Sequence, residues 1–302
     1  MVKQRITPCL WFDSKAEEAA KFYTSIFPNS KILEVVPYNV ETPSNKPIGS
    51  VMTISFELEG YKFLGLNGGP YFKMNPSVSF FLNYDPSRDK GAQEKLDRVW
   101  EKLSSGGKVL MPLQEYPFSK RYGWIEDKYG LSWQLILSDP KGEERPFIVP
   151  SLLFVGAVCG KAEKAIDFYL SVFKNTKRGI ATRYPEGMEP DKEGTIMFAD
   201  FILNNQWFAA MDSAHEHKFA FNEAVSFIIE CTDQKEINYF YEKLSNYPEA
   251  EICGWLKDKF GISWQLVTPD FEKLAKKKEV MEAILKMKRI DVEKLKKLNE
   301  TV

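Results

Sequence analysis

The sequence predicts an α+β protein: two tandem domains followed by a helical C-terminal extension. Three observations carry this. A thirteen-residue stretch, GWIEDKYGLSWQL from Gly123, returns as GWLKDKFGISWQL from Gly254 with nine identical positions. Other segments recur in the same order, AEEAAKFYTSIFPNSK from Ala16 as AEKAIDFYLSVFKNTK from Ala162, and ITPCLWF from Ile6 as IVPSLLF from Ile148. Strand-like and helical periods alternate within each copy. A period of roughly 135 residues is too long for a solenoid and marks two homologous units. The domains are placed at residues 1–140 and 146–269, with the extension at 270–302.

Each copy opens with a short β run. A helix follows, because Ala19, Phe22, Tyr23, Ile26 and Phe27 fall on one face of a 3.6-residue period, repeated by Ala165, Phe168, Tyr169, Val172 and Phe173. Three strands come next: SKILEVVPY, SVMTISFELEG and YKFLGLNG, the last two joined by a hairpin at Glu59-Gly60. VSFFLNY starts a second β run. A helix follows over about residues 91–103, then three further strands closing with LSWQLIL. Each copy therefore reads β-α-β-β-β twice. The offset between copies shrinks from 146 at Ala16/Ala162 to 131 at Gly123/Gly254, so the second copy has lost residues matching GGKVLMPLQEYPFSKRY. Beyond Asp270, Val280, Ile284, Leu285 and Met287 form one apolar stripe and Ile290, Val292, Leu295 and Leu298 another. Two short helices packing on a domain are expected, broken near Arg289 with Asp291 as an N-cap.

Bulk properties exclude several classes. A net charge of −1 in 302 residues leaves no basic footprint for nucleic acid. No apolar run approaches the length of a membrane span, and the start of the sequence has no signal-peptide pattern. Four cysteines without CxxC spacing read as reduced thiols, so a cytoplasmic protein is expected.

The doubled βαβββ module, the helix signature AEEAxxFYxxxF and the closing DxxGxxWQL resemble the vicinal-oxygen-chelate superfamily of glyoxalase I, bleomycin-resistance proteins and extradiol dioxygenases. TPCLWFDSKAEEAAKFYTSIF with GWIEDKYGLSWQL resembles its PhnB-like branch most. The resemblance implies glyoxalase-like domains whose paired modules form clefts, single-domain relatives that dimerise, and here an internal pseudo-dimer, with a homo-oligomer also open. It also implies metal ligands on four strand positions. These fall at Pro8 and Pro150, near Phe63 and Phe208, near Ser77 and Ala224, and at Gln134 and Gln265. Only the glutamines carry a usable donor atom, so no metal and no cofactor is expected. Cys9, next to Pro8, is expected to point away from the cleft.

Gln134 and Gln265 read either as structural amides or as polar anchors in a ligand pocket, with Trp124 and Trp255 as pocket aromatics. Trp133, adjoining Gln134, belongs to the opposite face and the core. LNGGPYF lacks phosphate-loop spacing and reads as a turn. His215 and His217 read as a surface loop. No catalytic residue is assigned. The leading expectation is a metal-free protein that binds a small apolar or aromatic molecule, with sequestration as one form of that role. The runner-up is an enzyme of the superfamily: a lyase, a dioxygenase or, by a label some PhnB-like members carry, a demethylubiquinone methyltransferase. A scaffold with filled clefts is the third.

Overall fold

Strand pairing in the computed structural model, which describes residues 4–139 and 143–301, follows the repeat closely. The first copy supplies β1 (Ile6–Phe12), α1 (Ala16–Ile26), β2 (Lys31–Pro37), β3 (Val51–Leu58) and β4 (Tyr61–Asn67). Its second module is β5 (Val78–Tyr84), α2 (Ala92–Ser104), β6 (Lys108–Tyr116), β7 (Ser119–Glu126) and β8 (Ser132–Leu137). The second copy supplies β9 (Ile148–Phe154), α3 (Ala162–Val172), β10 (Lys177–Arg183), β11 (Ile196–Leu203) and β12 (Gln206–Asp212). Then follow β13 (Val225–Glu230), α4 (Gln234–Leu244), β14 (Trp255–Lys257) and β15 (Ser263–Val267). Among the described residues no helix is long and apolar enough to cross a membrane.

The seven-stranded sheet runs β14-β15-β13-β1-β4-β3-β2, and the eight-stranded sheet runs β10-β11-β12-β9-β5-β8-β7-β6. The central seams are antiparallel: β1 with β13 and β5 with β9. Each seam joins a module of one copy to a module of the other. Contacts accordingly divide the chain into two units. The first runs up to Lys73 and resumes at Phe221; the second is Met74–Ala220. The copy limits at 140 and 146 thus mark repeats along the chain, and each sheet recombines their modules.

Within the first unit α1 buries Ala16, Ala19, Ala20, Tyr23 and Ile26. Tyr23 stacks on Phe56, and Phe56 on Phe63. The β3–β4 hairpin turns at Glu59 and Gly60 with φ of 48° and 82°, as a type I′ turn requires. Asn67 ties the module together: its Oδ1 accepts from the Ala16 N–H at the start of α1, and its Nδ2 donates to the Val51 carbonyl. In the second unit Asp212 takes this place as an acceptor only, its Oδ1 from the Ala162 N–H and its Oδ2 from the Ile196 N–H.

The twin DKxGxSW stretches are explained by one buried carboxylate each. Asp127 Oδ1 accepts from the N–H groups of Tyr129 and Leu131, and its Oδ2 accepts from the Trp133 indole at 2.8 Å. Asp258 repeats this with Phe260, Ile262 and Trp264, the last at 2.9 Å. Gly130 and Gly261 sit at φ of 89° and 93°, where a side chain is strained. Both tryptophans are fully buried on the helix-facing side of their sheets, packed on Phe80 and Phe227.

The extension forms three helices where the sequence suggests two: α5 (Phe271–Ala275), α6 (Lys278–Leu285) and α7 (Val292–Thr301). The break and cap fall as expected, with Asp291 Oδ1 accepting from Lys294 N–H. Its backbone also completes the shortened second copy. In the first copy β7 is flanked by β6, with Tyr122 opposite Gln114. In the second, the N–H groups of Cys253 and Gly254 donate instead to the carbonyls of Met287 and Lys288. Tyr241 and Gln234 hold the same segment through the carbonyls of Lys288 and Ile290. The lost strand is thus replaced by a stretch of the extension.

Removing a carboxylate that serves three buried donors orphans all three. Asp127→Ala and Asp258→Ala are each expected to cost about 3 kcal/mol, read as a lowered urea midpoint. A change below a few tenths of a kcal/mol would contradict the assigned role.

Candidate ligand-binding site

In β1 the alternation can be read from its partners. Pro8 lies opposite Phe227, which packs on Trp264 in the core. Cys9 lies opposite Ser226 on one side and Leu64 on the other. The face turned away from α1 therefore carries Cys9, Leu64 and Ser226, and, two residues along from Ser263, Gln265. This corrects the expected register. Pro8 and Phe63 belong to the buried face, and Cys9 belongs to the open one. The cause is the period of two, by which a slip of one residue exchanges faces. ITPCLWF is apolar on both faces, so its own pattern could not reveal the slip.

The open face of the first unit bounds a cavity of about 300 Å³. Its floor includes Cys9, Trp11, Leu64 and Gln265, one wall is Trp255, and α5 and α6 cover it with Phe271, Glu272, Met281, Ile284 and Leu285. Burial pushes the Cys9 thiol up to about 11 against the opposing pull of Gln265 and Ser226 beside it. Cys253 is likewise pushed up to about 11 by burial. Neither thiol is a ready nucleophile. Gly68 lets the Trp11 ring lie against the turn after β4, where a Cβ would come within 2.2 Å of it, and Trp11 Nε1 donates to the Gly69 carbonyl at 2.7 Å.

In the second unit the amide and the indole of the same face are bonded within the protein, although Ser151 Oγ, opposite Ser79 and Ala209 on that face, is buried without a partner among the described residues. Gln134 Nε2 donates to Ser79 Oγ at 2.7 Å, and Tyr122 OH donates to Gln134 Oε1 at 2.7 Å. Trp124 Nε1 donates to Ser132 Oγ at 2.8 Å. Phe81, Tyr122, Val149 and Ala209 form a buried cluster there, with Met111, Trp124, Phe198 and Trp207 packed on it. In the first unit only the first of these bonds survives, from Gln265 Nε2 to Ser226 Oγ at 2.9 Å. Cys253 stands where the repeat has Tyr122, and its backbone turns through φ 53°, so no phenol reaches Gln265. Ser263 Oγ, the counterpart of Ser132, is buried without a partner among the described residues.

Of the four residues singled out from sequence, Gln265 and Trp255 thus line the cavity, while Gln134 and Trp124 are bonded within the second unit. Cys9, Trp11 and the α5–α6 cover were not singled out. The replacement of Tyr122 by Cys253 was legible in the repeat and is the signal that separates the two faces.

A sequence model of the 3-demethylubiquinone-9 3-methyltransferase family matches residues 4–136 and again 146–267. The chain belongs to this PhnB-like family. It is 39% identical to a PhnB protein from Bacillus cereus bearing the same methyltransferase description, over 45% of this chain and 100% of that one, with a TM-score of 0.40. A protein from Staphylococcus aureus is 29% identical over 46% of this chain and 100% of its own, with a TM-score of 0.19. Glyoxalase I from Zea mays is 12% identical over 87% of this chain and 91% of its own, with a TM-score of 0.52, and shows the shared vicinal-oxygen-chelate fold. No curated protein matches the chain.

The divalent metal of the superfamily does not fit this PhnB-like chain. The cavity of the first unit offers the thiols of Cys9 and Cys253, the Gln265 amide, hydroxyls and the Glu272 carboxylate, and among the described residues no three His, Cys, Asp or Glu side chains converge as a metal site. His215 and His217 belong to a loop of the second unit. His217 meets Ser213 Oγ at 2.9 Å, and burial, reinforced by His215, holds its imidazole below the usual range. The nucleoside methyl donor that the family description implies also lacks its usual fittings, a Gly-rich strand-to-helix turn and a carboxylate for ribose hydroxyls beside it; the one carboxylate on the cavity belongs to α5.

At a pKa of about 11 roughly one thiol in a thousand is ionised at pH 8, so Cys9 and Cys253 are expected to resist a disulfide reagent in the native protein and react once it is unfolded. Mass spectrometry of the labelled sites checks this. Native labelling of Cys9 as fast as in denaturant would contradict its burial.

Proposed function

We propose that the first unit binds a small, largely apolar molecule of aromatic character on the face bearing Gln265, without a metal ion, and that the equivalent face of the second unit serves as a scaffold. One observation carries the reading. The two faces descend from one repeat, yet in one the Tyr122 hydroxyl closes on the Gln134 amide, while in the other Gln265 lines a cavity without such a phenol. Buried polar groups are normally paired, and an apolar pocket with a few convergent polar groups is the usual form of a small-ligand site. The volume of about 300 Å³ lies at the lower end for such sites, which suits a one- or two-ring molecule. On this reading Gln265 is the polar anchor, Trp255 and Trp11 supply ring contacts, and the α5–α6 cover excludes water.

The matched substitutions Gln265→Leu and Gln134→Leu test it, with quenching of tryptophan fluorescence by 2-naphthylmethanol as the readout. Gln265→Leu is expected to weaken binding about tenfold and, by removing the single bond to Ser226, to cost about 1 kcal/mol of stability. Gln134→Leu, which orphans the Tyr122 hydroxyl, is expected to cost about 2 kcal/mol of stability and leave affinity as it was. The opposite pattern, or saturable quenching indifferent to both, would remove the basis for the assignment.

A further inference from the structure

We propose that the molecule taken up by this cavity is a lipophilic organic cation, recognised by aromatic ring faces and by Glu272 on the covering helix. The inference rests on the cavity being a ligand site and adds the charge of the ligand.

Among the described residues no Lys or Arg lines the cavity, and its one carboxylate is that of Glu272. Trp11, Tyr38, Tyr71, Trp255 and Phe271 line it as well. The polar atoms of three of these rings are engaged elsewhere. Tyr38 OH donates to the Asn67 carbonyl, Tyr71 OH to the Pro43 carbonyl at 2.8 Å, and Trp11 Nε1 to the Gly69 carbonyl. What these side chains have left to offer is ring surface, whose face is electrostatically negative. Trp11 and Trp255 meet at 76° with centroids 6.1 Å apart, forming a corner of two indoles. An acid beside such a corner matches an ammonium or heteroaromatic cation and repels a carboxylate.

The charges around Glu272 are mixed and lie outside the cavity lining. Glu34 on β2 faces it and shares a hydrogen bond with it; Lys276, one turn further along the chain, is bonded to Glu34; Lys62 on β4 acts on it at longer range. Burial first, then Glu34, hold the Glu272 carboxyl above its ordinary range, against the pull of Lys62 and Lys276. An incoming cation would favour the ionised form and relieve the apposition with Glu34. The adjoining groove of about 950 Å³ shares Trp11, Trp255 and Leu285 with the cavity and carries Glu41, Glu223, Glu249 and Glu282 against Lys278 and Lys286. Glu223 and Glu282 are paired with Lys257 and Lys278, which leaves Glu41 and Glu249 as the acids a cation would pass.

Three probes of one shape test the charge on the full chain at pH 7.5: 2-naphthylmethylammonium, 2-naphthylmethanol and 2-naphthoate, each titrated against tryptophan fluorescence. The ammonium is expected to bind about tenfold or more tighter than the alcohol, with the naphthoate weakest. Glu272→Gln is expected to bring the ammonium within about twofold of the alcohol while the alcohol keeps its affinity. Lowering the pH through the raised titration of Glu272 protonates it and is expected to weaken only the ammonium. Equal affinities, a preference for naphthoate, or a preference that survives Glu272→Gln would overturn the inference and leave the cavity reading standing. Failure of all three probes to bind would overturn the cavity reading and this one with it. The three-probe series on the unmodified chain decides the matter even if the variant does not fold.

Discussion

Antiparallel backbone pairing at two seams, β1 with β13 and β5 with β9, is the constraint on which everything else in this protein depends. Each seam joins halves of different sequence copies. The open face of the first unit is therefore built from the opening module of copy one and the closing module of copy two. Neither copy by itself specifies a site. Cys9 meets Ser226 and Gln265 only because β1 runs beside β13 in the register Cys9–Ser226.

The repeated DKxGxSWQL run combines a part held constant with a part free to diverge. Asp, Gly and Trp form a closed hydrogen-bonded turn that anchors the last strand of each copy, in the same geometry at Asp127 and Asp258. The neighbouring Gln points to the other face, and there the copies differ through one residue outside the run. A tyrosine at 122 closes one face; a cysteine at 253 leaves the other open. The anchored turn keeps the strand in place whichever occurs. The scaffold can thus stay the same while the chemistry of the face changes.

The C-terminal extension has two structural effects at once. Its backbone near Met287 and Lys288 supplies the acceptors that a sixth strand supplies in the first copy, and its α5 and α6 helices cover the cavity. Shortening of the second copy and growth of the extension are thus two sides of one change. The cover also brings Glu272 to the cavity beside Gln265, so the acid and the cavity belong to the same rearrangement.

By itself the sequence determined the repeat, the βαβββ modules, the α1 and α3 faces, the hairpin at Glu59-Gly60 and the break before Asp291. All are local patterns of period or turn chemistry. It also determined that Trp133 and Gln134 oppose each other, because neighbours in a strand must. Tertiary structure alone decided that Cys9 rather than Pro8 meets the cavity, since a strand apolar on both faces carries no signal of which face is which. It alone decided that modules pair across copies and that the extension closes the first unit. Those outcomes are contacts between residues some two hundred positions apart, such as Cys9 with Ser226 or Asn39 with Ala275. Local pattern cannot specify them, because the free energy of a strand register lies in the partner it meets.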